Sequence, residues 1–101
     1  MRANKYKMKS EVWVYPGQSG NWHFVSVAKK ISEMLKKKFG ERARGWGSLP
    51  VTATIGKTSW QTSIFPDKRE GVYLLPLKAS VRKKEGIFSG DKVPLSITIR
   101  L

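Results

Sequence analysis

The chain has 101 residues and no cysteine, and 20 Lys and Arg residues against 7 Asp and Glu residues give it a net charge of +13. This length suits one domain with one modest core, and the lack of cysteine excludes disulfides and thiolate metal sites. No apolar stretch reaches the roughly 18 residues that a membrane span needs, and residues 1–5 lead into no apolar signal core, so we expect one cytoplasmic domain over residues 1–101 with no membrane partner.

The first predicted elements are two strands joined by a turn. Residues 5–15 alternate in polarity, so successive side chains face opposite sides of a sheet. The face expected to be buried carries Tyr6, Met8, Ser10, Val12 and Val14, and the outer face carries Lys5, Lys7, Lys9, Glu11, Trp13 and Tyr15. The Pro and Gly content of residues 16–21 predicts a turn, and residues 22–26 predict a short second strand.

Residues 27–39 carry the one clear helical pattern. At about 100° per residue, apolar side chains share one arc and most lysines share the opposite arc. The apolar arc, which we expect to be core, comprises Val27, Ala28, Ile31, Met34, Leu35 and Phe39. Gly40 is the predicted end of the helix, in the left-handed conformation that glycine adopts without strain.

Residues 49–65 predict a hairpin that turns at Gly56 and Lys57. Glycine at the first central position suits a type II′ turn. The resulting register pairs Ile55 with Thr58, Ala53 with Trp60 and Val51 with Thr62. One face then carries most of the apolar side chains, so we predict that Trp60 is a core anchor rather than an exposed stacking platform.

The rest of the chain predicts a turn at 66–71, a strand at 72–75, a short second helix at 77–85, a turn at 89–91 and a last strand at 93–101. Gly86 is expected to stop the helix. The last strand places Val93, Leu95, Ile97, Ile99 and Leu101 on one face.

Two pairs of segments suggest an internal repeat. LPVTATI at 49–55 matches VPLSITI at 93–99, an offset of 44 residues. Upstream, the strand end at 24–27 leads into a helix as the strand end at 74–77 does, an offset of 50 residues. Each half reads as strand, helix, loop and strand. We therefore predict a mainly β fold, a small closed barrel of two pseudo-symmetric halves, with one amphipathic helix and a short second helix.

Several motifs in fixed order resemble a small prokaryotic family classed as a domain of unknown function. They are VWVYPGQSGNWHFVSVAKKISEML, GWGSLPVTATIG, WQTSIFPDK and YLLPLKASVRKKEGIFSGDKV, and together they extend over about residues 8 to 100. The resemblance implies a closed barrel of the double-split type, in agreement with the repeat. In some relatives the domain is fused to a bacteriocin-protection-type domain, which implies an accessory role.

A weaker resemblance links residues 81–87 and 90–93 to the helix-turn-strand of AbrB/MazE-type swapped-hairpin regulators. Those proteins are DNA-binding dimers. Their arginine-bearing recognition loops have no counterpart that can be placed on this chain, so the resemblance implies architecture rather than DNA binding.

The basic residues indicate where an anionic partner would bind. Arginine binds phosphate or carboxylate in a two-pronged manner, and a tryptophan in a loop can stack on a base or a sugar. The candidate residues are Arg42, Arg44, Trp46, Lys68, Arg69, Arg82 and Lys83. Two alternatives stay open, namely that Trp46 folds back as a plug of the barrel and that the charge only keeps the protein soluble.

The first strand offers a second pattern of the same kind. Trp13 alternates with Lys7 and Lys9 on the predicted outer face. A basic strand face with an exposed aromatic residue is typical of a platform for single-stranded nucleic acid. A strand that is covered by the helix would show the same pattern.

Catalytic machinery is sparse. His23 is the single histidine, and no nucleophile elbow, paired carboxylates or metal-ligand spacing accompanies it. Asp67 and Asp91 lie in predicted turns, where each is expected to bond to nearby backbone. No phosphate-binding glycine motif is present, so we expect no catalytic residue, no metal and no cofactor.

We therefore expect a non-enzymatic binding module for an anionic partner, with nucleic acid as the leading candidate. The alternative is an accessory domain that binds a protein or a small ligand, and an enzyme is the third possibility. We expect a monomer, with an oligomer left open.

Overall fold

Alternating apolar side chains close six strands into an antiparallel barrel in the computed structural model, which describes residues 5–17 and 20–101. The strands are β1 (Lys5–Gly17), β2 (Gly20–Ser26), β3 (Leu49–Ile55), β4 (Thr58–Asp67), β5 (Val72–Pro76) and β6 (Lys92–Ile99). The helices are α1 (Lys29–Phe39) and α2 (Ala79–Glu85), and short 3-10 turns span Gly40–Arg42 and Gly45–Gly47. The mainly β barrel with two helices that the sequence predicts is confirmed.

The strands follow the ring order β1-β2-β5-β4-β3-β6, and β6 pairs with β1 to close it. Closure gives every strand of the ring two neighbours to which it is hydrogen-bonded. The interior is filled by the apolar face of each strand together with side chains from the helices. Its most completely buried members include Val12, Val25, Leu35, Phe39, Leu49, Ile64, Leu75 and Ile97.

The β3–β4 hairpin has the predicted register, with Ile55 opposite Thr58 and Ala53 opposite Trp60. Gly56 has a φ of 58° while Lys57 has no positive φ, as a type II′ turn requires. Trp60 is only 9% exposed, so its predicted place in the core is confirmed. The strict separation of apolar from polar faces in this segment leaves no other register that buries the same side chains.

The two repeat units are related by a pseudo-twofold axis that passes through two strand pairs. Val25 pairs with Leu75 and Ala53 pairs with Ile97, partners that stand 50 and 44 residues apart. Two equivalent hydrogen bonds flank the first pair, because Val27 N–H donates to Tyr73 O at 2.8 Å and Leu77 N–H donates to His23 O at 2.9 Å. The two offsets found in the sequence therefore separate residues that are equivalent under the pseudo-twofold axis.

Helix α1 ends at Phe39 as predicted but begins at Lys29, two residues later than predicted. The predictions that Ala28 and Met34 belong to the core are wrong, since Ala28 is exposed and Met34 is 51% exposed. The predicted core positions Leu35 and Phe39 are confirmed, and Ser32 is buried with them. The buried stripe is narrower than the apolar arc because one line of helix contacts is enough to cover this end of the barrel.

The predicted helix stop at Gly40 is also wrong in its conformation. Gly40 has right-handed angles, φ −57° and ψ −35°, and continues into the 3-10 turn Gly40–Arg42. Gly86 is the left-handed stop of α2, as predicted, with φ 65°. Helix α2 itself begins at Ala79 and is shorter than its prediction of 77–85.

The predicted turn at 16–21 is shorter than its composition suggests. Strand β1 continues to Gly17 and β2 begins at Gly20, and these two residues pair with each other. Residues 18 and 19 of the predicted turn lie outside the described residues.

Ser32 joins α1 to the barrel through two hydrogen bonds. Its hydroxyl donates to Val27 O at 3.1 Å and accepts from Tyr73 N–H at 3.0 Å. The side chain is only 2% exposed, so water cannot replace either partner easily. The sequence does not reveal this role, because a serine inside a lysine-rich helix has the pattern of a surface position.

We predict that Ser32→Ala lowers the free energy of unfolding by about 1–3 kcal/mol, because the Tyr73 amide loses its partner in a buried place. Urea denaturation followed by circular dichroism measures the change. The matched control is Ser80→Ala on the exposed side of α2, for which we expect a change within about 0.5 kcal/mol. Equal stabilities of the two variants would contradict the role of Ser32.

Candidate binding clefts

A cleft of about 420 Å³ lies between α1, the loop after it and the end of the β4–β5 hairpin. We call it the Trp46 cleft. Its walls include Ser32, Lys36, Trp46, Pro66, Lys68 and Tyr73. The strand pairing of β4 with β5 and the Ser32–Tyr73 hydrogen bond fix two of these walls relative to each other.

Trp46 projects from the 3-10 turn Gly45–Gly47 with 93% of its surface exposed. The alternative of a barrel plug is therefore excluded. Its backbone has φ 64° and ψ 16°, a left-handed conformation that is unusual for a bulky residue. The loop holds this conformation because Gly47 N–H donates to Arg44 O at 2.9 Å and Arg44 N–H donates to Ser48 O at 2.8 Å.

The loop that carries Trp46 packs tightly on the end of β4. A Cβ atom at Gly47 would lie 3.1 Å from Cγ of Pro66, and Gly47 has a φ of 75°. Glycine is therefore needed at this position for two reasons, its left-handed backbone and the close approach of Pro66. The position of Trp46 at the cleft thus depends on its neighbour rather than on contacts of its own side chain.

Both signs of charge occur in the Trp46 cleft. Lys36 and Lys68 are exposed at its walls, as is Glu33, and Asp67 also lines it. Asp67 is already engaged, since its Oδ1 accepts from Arg69 N–H at 3.0 Å and lies 3.6 Å from Arg69 Nε. This contact confirms the predicted bond of Asp67 to its own turn. An equivalent bond from Phe88 N–H to Asp91 Oδ2, at 2.8 Å, confirms that of Asp91.

The structure divides the seven predicted site residues. Trp46 and Lys68 line the Trp46 cleft, and Arg69 lines a small neighbouring pocket that shares Asp67 with it. Arg42 lies over the ring of Phe39, 5.3 Å from its centroid, and Arg44 is exposed in the same loop. Arg82 and Lys83 line a different cleft altogether.

The second cleft has a volume of about 700 Å³ and is lined by His23, Arg82, Lys83 and Phe88 among others. We call it the His23 cleft. Arg82 Nε–H donates to Leu77 O at 3.2 Å, and Arg82 Nη1 lies 3.5 Å from His23 Nε2. A guanidinium can only donate, so this contact requires Nε2 to accept and places the ring hydrogen on Nδ1. Among the described residues, Nδ1 is buried without a hydrogen-bond partner.

The two clefts are counterparts under the pseudo-twofold axis. At the offset of 50 residues, Tyr73 of the first corresponds to His23 of the second, and Ser32 corresponds to Arg82. At these two equivalent positions the Trp46 cleft carries a serine and a tyrosine, whereas the His23 cleft carries an arginine and a histidine. The repeat offset in the sequence was the signal that could have revealed Tyr73 and Ser32 as cleft residues.

Burial at the inner wall of the Trp46 cleft changes the acidity of Tyr73. The side chain is 5% exposed, and desolvation raises the pKa of its phenol above the usual value. Burial therefore favours the neutral phenol over the phenolate at this wall.

No group of three or more His, Asp and Glu residues within 5–17 and 20–101 is arranged to hold a metal ion. In the same part of the chain, no helix has the length and apolar character to cross a bilayer.

Comparison with known proteins identifies a matching family. A family model described as "Domain of unknown function (DUF1905)" matches residues 9–97. No curated protein matches the chain.

We predict that Trp46→Gly leaves the free energy of unfolding unchanged or raises it by up to about 1 kcal/mol, because relief of the left-handed strain outweighs the added chain entropy of glycine. Urea denaturation measures this. The control Trp60→Ala removes a buried tryptophan and should cost about 3–5 kcal/mol. A loss of more than about 1 kcal/mol from Trp46→Gly would mean that Trp46 is a structural anchor.

We also predict a pH effect from Tyr73. Because its pKa is raised in the folded protein, the neutral phenol favours the fold, and this contribution is lost as the pH rises above the unfolded value of about 10. The free energy of unfolding should thus fall more steeply above that pH in the wild-type protein than in Tyr73→Phe, with pH 7 as the common baseline. Parallel curves from denaturation at several pH values would refute the assignment.

Proposed function

The chain belongs to the family described as a domain of unknown function (DUF1905), and we propose that it is a non-enzymatic binding module for an anionic partner, single-stranded nucleic acid. The observation that carries the proposal is Trp46, which is almost fully exposed and held in a strained backbone conformation beside two lysines. Strain of this kind costs free energy and persists where function selects it.

The chemistry of the Trp46 cleft suits a nucleotide unit. An exposed indole offers a face on which any base can stack, since every base has a π surface. Lys36 and Lys68 stand at the walls of the same cleft, where a phosphate that follows the base would come close to them. Arg44 is exposed in the loop that carries Trp46 and extends the positive surface.

The overall charge favours a polymeric anion as the partner over a small molecule with a single charge. Exposed lysines form a row on each of two elements. They are Lys29, Lys30, Lys36 and Lys37 on α1, and Lys5, Lys7 and Lys9 on β1. With a net charge of +13, the field of the whole protein attracts a polyanion and speeds its encounter. Binding that depends on such charges weakens steeply as salt is added.

The surroundings of His23 support a non-enzymatic role. Its Nε2 lies against Arg82 and not against a carboxylate. A guanidinium cannot accept a hydrogen bond, so it cannot orient the ring as the acidic member of a catalytic triad does.

A second candidate function, binding of a small ligand, is favoured by the size of the Trp46 cleft. Its volume of about 420 Å³ lies in the range of ligand pockets, and Pro66, Val72 and Tyr73 provide apolar walls. A small ligand held by apolar contact would bind equally well in high salt, whereas a polyanion would not. Salt dependence therefore separates the two candidates.

We predict micromolar binding of a single-stranded oligothymidylate of about 20 nucleotides at about 50 mM salt, with a loss of at least tenfold in affinity at about 200 mM. Trp46→Ala should weaken binding about tenfold without changing the salt slope, because it removes stacking but no charge. Lys68→Gln should weaken binding and reduce the slope. Fluorescence anisotropy with a labelled oligonucleotide measures all three.

The matched control is Lys57→Gln, which removes the same charge at the exposed β3–β4 turn, outside the walls of the cleft. It should lower affinity less than Lys68→Gln. Flat titrations of the wild-type protein at low salt, with DNA and with RNA, would overturn the proposed function.

A further inference from the structure

The outer face of the β1–β2 hairpin carries four aromatic side chains in a two-by-two block. Trp13 pairs with Phe24 and Tyr15 pairs with Trp22 in the strand register. Because Val12 and Val25 fill the barrel on the inner side, alternation puts the four rings on the outer side. We call this block the hairpin platform.

Within the hairpin platform, Trp13 and Phe24 are held in place by contacts of their own side chains. The rings of Trp13 and Phe24 lie 5.1 Å apart, tilted by 35°, and Trp13 Nε1–H donates to Ser26 Oγ at 3.0 Å. These two side chains are half-buried through contacts with their neighbouring strand, so the alternative that the helix covers Trp13 is not needed to explain their burial. Tyr15 and Trp22 remain 56% and 59% exposed.

Exposed aromatic surface of this extent marks an interaction site on a small protein. Isolated apolar residues at a surface are ordinary, but here two large rings lie side by side on a rigid sheet and adjoin two more. Strand pairing fixes the backbone of all four residues, and the hydrogen bond to Ser26 holds the ring of Trp13. The backbone therefore loses little conformational entropy when a flat partner stacks on the platform.

The charges around the hairpin platform indicate the kind of partner. Leu77 N–H donates to His23 O, so the chain that follows β5 still runs along β2 at the residue next to Trp22. Lys78 follows Leu77 and is exposed. At the other end, Arg69 and Trp13 line one small pocket, together with Asp67 and Glu70. Beyond Glu11, the outer face of β1 continues through Lys9, Lys7 and Lys5.

A second copy of the chain is a poor partner for the hairpin platform. Two molecules that each carry +13 repel each other at close range, and apolar contact would have to overcome that repulsion. A flat aromatic group attached to an anionic backbone matches both the exposed rings of the hairpin platform and the positive charge around them.

We propose that the hairpin platform is a second base-stacking surface, on which bases of a single-stranded nucleic acid stack on Tyr15 and Trp22 while its phosphates approach Lys78 and the lysines of β1. This inference rests on the proposed function and extends it from one nucleotide-sized cleft to a separate binding surface. Aromatic residues on a sheet face suit this use because stacking needs no particular base.

The test compares Tyr15→Ala, Trp22→Ala and the double variant with the wild-type protein in binding the single-stranded oligothymidylate. Each single change should raise the dissociation constant about fivefold to tenfold, and the double change more, with the salt slope unchanged because no cation is removed. Since both side chains are more than half exposed, the urea midpoints of the variants should match the wild type. Met34→Ala is the control, because Met34 is a large apolar side chain, 51% exposed on α1, that lies outside the hairpin platform and lines neither cleft, so the dissociation constant of this variant should not change.

Three outcomes would overturn the inference. If the double variant binds as tightly as the wild type while Trp46→Ala still weakens binding, the platform is not a binding surface and the proposed function stands. If the wild-type protein does not bind at low salt, both fall together. If sedimentation shows a dimer of the wild-type protein that the double variant dissociates, the platform is an interface between copies of the chain.

Discussion

Antiparallel pairing across the pseudo-twofold axis is the constraint on which the rest of the structure depends. Val25 against Leu75 and Ala53 against Ile97 join the two halves, β1–β3 and β4–β6, and strands β3 and β6 pair only with strands of the other half. Each helix follows directly from one of the paired strands, so the same pairing sets where α1 and α2 lie. The two clefts are therefore consequences of the strand pairing, and each lies between the helix of one half and strand residues of the other half.

The pseudo-symmetry explains why the clefts share their architecture and differ in chemistry. Hydrogen bonds of the backbone repeat because they are made by groups that every residue has, as in the paired bonds from Val27 to Tyr73 and from Leu77 to His23. Side chains at equivalent positions are free to differ. In one half a serine hydroxyl joins helix to strand, and in the other an arginine reaches a histidine ring. One fold thus offers two differently charged recesses.

The sequence predicts what depends on local pattern. Strict alternation in the β3–β4 hairpin specifies its register, and the recurrence of apolar-Pro-apolar segments specifies the axis. It predicts poorly what depends on how much of an element is covered. Met34 satisfies the helical period but lies beyond the region that α1 covers, while Ser32 breaks the apolar pattern and is buried because two backbone groups need its hydroxyl.

Of the candidate residues, Trp46 and Lys68 line one cleft, but Arg82 and Lys83 line the other. Distances along the chain carry no information on that division.

The strand order has a consequence for how the chain reaches this structure. Hairpins β1–β2 and β3–β4 can form from neighbouring residues, but β2 must wait for β5, and β1 for β6, where Lys5 meets Thr98. Forming such distant contacts costs loop-closure entropy before any strand pairing stabilises the chain. Folding is therefore slow compared with that of helical chains of the same size. During synthesis the first half leaves the ribosome with the edges of its strands unpaired. Its abundant lysines keep those edges apart from other chains until the second half completes the barrel.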